Sequence, residues 1–177
     1  MDTLKEGGDS LQYLTFRIGG HVYALGLLEI REIVEPEPLV PLPASSEAVL
    51  GLLNLRGRAL PVLDLARILV GSGTSTDDPG CILVVEVTLG GRSVSAGLLA
   101  EEVCQVTSIG PDDLQDAPLA GTTDRADYLK AIARIEEMFV PVLNLERVFS
   151  APELREQAPW HSPETSQDDP AESAEGA

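Results

Sequence analysis

The chain holds 177 residues, 44 % hydrophobic but only 4 % aromatic, with a formal net charge of −17. That length suits one domain or two small lobes sharing a core, and the core has to be aliphatic. The acidic balance argues against nucleic acid as a partner, because such binding rests on Lys and Arg neutralising phosphates.

Residues 1–10, MDTLKEGGDS, are polar and acidic and lack the basic-plus-apolar pattern of a secretory leader. From Leu11, LQYLTFRIG alternates well enough for a half-buried strand. Gly19-Gly20 suits a tight hairpin turn, and HVYALGL reads as the return strand. LLEIREI follows, and then EPEPLVPLP (residues 35–43), whose four prolines call for an extended connection. GLLNLRGRALPVLDLARIL, Gly51 to Leu69, is a nearly continuous apolar run with Arg56 and Arg58 set into it. Asp64 is placed to cap a short helix over LARIL. GSGTSTDDPG (residues 71–80) has the composition of a flexible connection between lobes.

After that connection the pattern returns. CILVVEVTL, Gly90-Gly91 and RSVSAGLL form a second predicted hairpin, and Gly-Leu-Leu recurs at 26–28 and 97–99 with the same offset of 71 as the two Gly-Gly turns. ALPVLDLARIL (59–69) matches FVPVLNLERVF (139–149), with Pro141 falling on Pro61 and Asn144 on Asp64 as a second helix cap. A proline within a strand suits an edge or a strand start, which is the expectation for Pro61 and Pro141. From residue 151 the chain turns acidic, with seven Asp/Glu against one Arg, and reads as a disordered tail in which Trp160 is the one unusual residue. Many short strands joined by glycine turns, with only brief helices, predict an all-β protein of barrels. Lobe 1 spans about 11–70 and lobe 2 about 80–150, between a flexible residue 1–10 stretch and the tail at 151–177.

No catalytic constellation emerges. His21 follows a hairpin turn and His161 lies in the tail, and neither sits in a metal-ligand or nucleophile spacing. The glycine turns lack nucleotide-binding patterns, so no cofactor, metal or catalytic residue is expected. Glu101-Glu102 reads as a solvated strand end, since neighbouring strand residues point to opposite faces. Cys81 and Cys104 each lie in an apolar run without CxxC spacing and are expected to be buried free thiols. No apolar run approaches the roughly 18 residues that span a bilayer, so a cytosolic protein without direct membrane insertion is expected.

The residues left over describe a contact surface. Arg56 interrupts an apolar strand and needs an anionic partner if buried, and Glu32 is the candidate. Ile30, Ile33, Val103 and Val106 occupy equivalent stretches after the two Gly-Leu-Leu segments, where they serve either the core or an apolar groove between lobes.

LTFRIGGHVYAL, LLEIREI, Gly51 with LNLRG, LPVLDL, GLLAEEV, Tyr128-Leu129 and PVLNLERVF, in that order over about residues 11–150, resemble the CheW-like family of bacterial chemosensory coupling proteins. The resemblance implies two intertwined SH3-like five-stranded β-barrels with short helices. It also implies a non-catalytic adaptor that links the cytoplasmic tip of a methyl-accepting chemotaxis receptor to the regulatory domain of a CheA-type histidine kinase, in arrays on the inner face of the membrane. The positions that match the family's receptor- and kinase-facing residues are Ile30, Glu32, Gly51, Arg56, Val103 and Val106, with Arg56 and Glu32 as its charged pair. The chain departs from the family in having Glu101 where Asp is frequent and in its acidic tail. Two alternatives stay open: a diverged protein that binds only the kinase and limits assembly, and a barrel that binds a small ligand.

Overall fold

A computed structural model describes residues 10–42, 47–71, 80–117, 127–151 and 154. Eleven strands among these residues form two sheets. The first half contributes β1 (Leu11–Ile18), β2 (His21–Gly26), β3 (Ile30–Val34), β4 (Val49–Leu55), β5 (Arg58–Leu63) and the five-residue helix α1 (Leu65–Leu69). The second contributes β6 (Cys81–Leu89), β7 (Arg92–Ala100), β8 (Glu102–Ile109), β9 (Leu114–Asp116), β10 (Leu129–Ile135), β11 (Met138–Leu143) and α2 (Leu145–Phe149). Single 3₁₀ turns at Leu27–Glu29 and Pro111–Asp113 join β2 to β3 and β8 to β9.

The strand order is β8-β1-β2-β11-β10-β9 in one sheet and β3-β6-β7-β5-β4 in the other. Each sheet therefore takes its Gly-Gly hairpin from one half of the chain and the rest from the other. The hairpins turn at the predicted Gly-Gly pairs, with Ile18 opposite His21 and Leu89 opposite Arg92 and positive φ at Gly19, Gly20, Gly90 and Gly91. This exchange is the intertwining, and it makes neither half an independent sheet.

The two sheets superimpose in topology strand for strand, except at the last position. β9 pairs with β10 over three residues, whereas the corresponding stretch of the first half makes one bridge, Val40 with Leu52. Val40 exchanges two hydrogen bonds of 2.8 and 2.9 Å with Leu52, and the next residue toward the N-terminus that faces the same neighbour is Pro38, which has no N–H to extend the ladder, so the sixth strand shrinks to a single residue. One sheet thus has six strands and the other the expected five.

Pro61 and Pro141 lie inside strands that have a neighbour on each side in the sheet order, rather than on edge strands. The parallel neighbour begins only at Val62 with Gly97 and at Val142 with Ala24, so each proline sits one residue before a donor is required. The shared core lies between the sheets and draws Leu14, Phe16, Ile18, Leu63, Ile68, Leu83, Leu98, Leu143 and Phe149 from both halves and both helices. Asn144 caps α2 through a bond from Arg147 N, whereas Asp64 makes no such cap bond although it is buried. Ala151 and Leu154, which the composition assigned to the tail, are buried in the core. The remainder of the predicted tail, with Trp160 and His161, and residues 72–79 of the predicted inter-lobe connection lie outside the described residues.

Candidate functional site

The six candidate residues are spread over both sheets. Ile30 and Glu32 lie on β3, Gly51 on β4, Arg56 in the β4–β5 turn, and Val103 and Val106 on β8. β3 and β4 are the two ends of the five-stranded order, yet Arg56 reaches Glu32 through two parallel hydrogen bonds, Nη1 to Oε2 at 2.7 Å and Nη2 to Oε1 at 2.8 Å. The sheet curls until its ends face each other, and the guanidinium fork bridges the seam.

This corrects one expectation and meets another. Glu32 is the partner, but the pair is not buried: the Arg56 side chain is 72 % exposed and that of Glu32 27 %. Arg56 does not interrupt a strand either. It sits in a turn at φ 53°, followed by Gly57 at 85°. The Arg56 hydrogen bonds hold the Glu32 carboxyl below the usual carboxylate range and raise the guanidinium in turn. A surface pair adds little to stability, and its contribution is geometric: a bidentate tie between β3 and the β4–β5 turn.

Gly51 is fixed by sterics. Its φ is 150°, and a Cβ there would lie 2.7 Å from the Val40 carbonyl oxygen and 3.0 Å from Leu39 Cβ. The register of β4 on β5 slips at this point, with Val49 opposite Leu63 and Gly51 opposite Val62. The glycine lets the proline-rich segment dock against a bulged strand.

Bulges also decide where the aliphatic candidates point. In a regular strand, residues three apart face opposite sides. On β8, Val103 pairs with Phe16 and Val106 with Leu14, leaving Cys104 as the extra residue. Phe16 and Leu14 share a face, so Val103 and Val106 do too. β3 repeats the device: Ile30 pairs with Val85, Glu32 with Val84 and Ile33 with Leu83, and Arg31 is the extra residue. Ile30 and Ile33 thereby share one face while Glu32 turns to the other, toward Arg56. Ile30 and Val103 are partly buried against the shared core, whereas Ile33 and Val106 are 46 % and 47 % exposed.

Several contributors escaped the sequence. Glu101 is no solvated strand end: its carboxylate accepts from Gly19 N at 2.9 Å and Gly20 N at 3.3 Å, locking the β1–β2 turn to the start of β8. Arg17 lies 3.8 Å from Glu102 beside it. Cys104 is exposed rather than buried, because it is the bulged residue of an edge strand, and Cys81 is half-buried with its thiol pushed up by desolvation. The i, i+3 spacing of Ile30/Ile33 and Val103/Val106 was the available signal for the bulges. A groove of about 740 Å³ lies elsewhere, lined by Arg17, His21, Tyr23, Val70, Met138 and Phe139. Among the described residues no group of three His, Cys, Asp or Glu is placed to hold a metal, and no helix is long and apolar enough to cross a membrane.

Residues 12–153 match the family model of the CheW-like domain. A probable chemotaxis protein CheW of Rhizobium etli is 30 % identical over 151 residues, covering 85 % of this chain and 94 % of the relative. The chemotaxis protein CheW of Treponema pallidum is 24 % identical over 150 residues, covering 85 % and 88 %. Protein FrzA of Myxococcus xanthus is 30 % identical over 123 residues, covering 70 % and 74 %. The crystal structure of the scaffolding protein TtCheW from Thermoanaerobacter tengcongensis superimposes with a TM-score of 0.67 at 22 % identity, covering 81 % of this chain and 90 % of that one.

Proposed function

This chain belongs to the CheW-like domain family, and we propose that it is a non-catalytic adaptor joining a chemoreceptor tip to the regulatory domain of a CheA-type histidine kinase. Its place would be cytoplasmic, at receptor arrays on the inner face of the membrane. The observation that carries the reading is the Arg56–Glu32 fork across the seam of the five-stranded sheet. Aliphatic side chains are also exposed along the sheet edges: Ile33 on β3, on the face opposite Glu32, Val40 on the proline-rich segment, and Val106 on β8, at the edge of the other sheet. Aliphatic residues on two edges with a rigid charged clasp suit a helical receptor tip that buries apolar anchors and is aligned by charge. Similarity to chemotaxis CheW proteins and to a scaffolding protein supports the same role.

The experiment is co-sedimentation of the full chain with receptor cytoplasmic fragments and the partner kinase, with kinase autophosphorylation as a second readout. The native chain is expected to form a ternary complex that raises autophosphorylation. Arg56→Ala is expected to weaken that complex while its melting temperature stays near that of the native protein, since both partners of the pair are at the surface. Kinase binding without receptor recruitment by the native chain would instead make it an assembly limiter, and binding to neither would remove the adaptor reading.

A further inference from the structure

The bulge in β8 is held by a side chain that lies outside the six candidates. Thr15 on β1 is 3 % exposed, and its hydroxyl both donates to the Gln105 carbonyl and accepts from the Gln105 N–H, each at 3.2 Å. Gln105 follows the extra residue Cys104, where the β1–β8 ladder slips between Thr15 and Phe16. A buried hydroxyl in this position gives both backbone groups of Gln105 a partner where the register slips.

The second half offers an internal comparison. At the offset of 71 residues that relates the two Gly-Gly turns, Thr15 falls on Glu86. Glu86 accepts from Arg31 Nε at 2.6 Å and from the Ser93 hydroxyl, and Arg31 is the extra residue of the β3 bulge. Each half thus ties a residue in or beside the bulge of its edge strand from positions 71 apart, although the ladder slips between Thr15 and Phe16 in one and between Val84 and Val85 in the other.

We propose that Thr15 is a positioning residue for the partner surface, holding the β8 bulge that places Val103 and Val106 on one face. This rests on the reading of that face as partner-binding. Without the hydroxyl, β8 relaxes toward regular pairing and Val103 and Val106 part to opposite faces, because a slip of one residue reverses every side chain beyond it.

The test uses the full chain with receptor fragments and kinase, and five variants: Thr15→Val, Thr15→Ser, deletion of Cys104, Thr15→Val combined with that deletion, and Val106→Asp. Removing Cys104 makes Val103 and Val106 two residues apart, so a regular strand keeps them together and the hydroxyl becomes dispensable. Thr15→Val is expected to weaken receptor recruitment about tenfold, on the scale of losing one central interface residue, while Thr15→Ser and the double variant recruit like the native chain. The reactivity of Cys104 toward a thiol reagent, which needs no partner, is expected to change in Thr15→Val and not in Thr15→Ser. Recruitment and Cys104 reactivity unchanged in Thr15→Val would overturn the proposal, and so would a loss in Thr15→Val that persists at full size after the deletion. If Thr15→Val does not fold, the deletion decides alone: folding of the double variant supports the bulge role and its failure to fold refutes it. Val106→Asp separates the two layers. Undiminished recruitment by that variant removes the partner face itself, whereas its loss beside intact Thr15→Val removes only the positioning role.

Discussion

The β4–β5 and β10–β11 hairpins are the same backbone written twice with different chemistry. Offset by 80 residues, Leu53 faces Leu60 as Ala133 faces Val140, and Leu55 faces Arg58 as Ile135 faces Met138. Both registers slip at equivalent points, before Gly51 and before Ala131, and Asp64 N and Asn144 N donate to equivalent carbonyls, Ala48 and Tyr128. The tips diverge completely. One is Arg56-Gly57, with Arg56 clasping Glu32, and the other is the exposed pair Glu136-Glu137. A duplicated scaffold keeps what the ladder demands and varies what faces outward, so the residues breaking the repeat mark where one half was put to a particular use.

Gly51 and Ala131 give the largest contrast. At Ala131 the outer neighbour is the short ladder of β9, and the residue has no positive φ. At Gly51 the neighbour is the single bridge of Val40, and the backbone has moved to φ 150° to meet it. Gly51→Ala is expected to cost about 3 kcal/mol, from a strained φ and a displaced proline segment, whereas Ala131→Gly should cost about 0.5–1 kcal/mol of chain entropy. Urea unfolding of both variants measures this. Equal costs would mean that the two bulges are interchangeable and that Gly51 owes its place to something other than Val40.

The two tips sharpen the comparison at a smaller scale. Glu136 and Glu137 hold φ values of 51° and 70°, conformations that suit Asn-Gly far better. Replacing them by Asn-Gly should stabilise the protein by about 1 kcal/mol and leave kinase and receptor binding alone. If partner binding falls while stability rises, the acidic tip belongs to an interface and the strain is retained for that reason.

Much of this is legible in the sequence alone. The duplicated PVL(D/N)L segment, the Gly-Gly turns and the Arg56–Glu32 pairing follow from periodicity, turn chemistry and the need of a guanidinium for an anion. Which hairpin joins which sheet is not, because alternation within a strand is silent about its neighbour when both halves carry nearly the same pattern. Glu101 reads as solvated in the sequence because a carboxylate that binds two turn amides 81 and 82 residues away leaves no local trace. Arg56 reads as an interruption of an apolar strand because apolar neighbours surround it in sequence, yet a turn takes it out to water. Cys104 failed for the related reason that one bulge reverses the inside–outside parity of a strand.

The smallest expected effect lies in two carboxylates three residues apart that titrate in opposite senses. Burial raises the Glu29 carboxyl, partly offset by Lys130 and reinforced by Glu146, and its Oε1 is occluded without a hydrogen-bond partner. Glu32 is lowered, through the Arg56 hydrogen bonds first. A raised folded pKa contributes stability that is fully present below the ordinary value of about 4.5 and fades as pH rises through the folded value. A lowered one contributes stability that is present above about 4.5 and fades as pH falls through the folded value. Relative to the native chain, Glu29→Gln should therefore gain stability as pH rises from about 4.5 through the raised folded value, whereas Glu32→Gln should lose stability as pH rises through the lowered folded value up to about 4.5 and hold a constant deficit above it. Urea midpoints across the acid range check the pair, and parallel slopes would show that one carboxylate is solvated differently from its geometry. The contrast sets Glu29, whose charge the fold merely tolerates, against Glu32, whose charge the seam of the sheet uses.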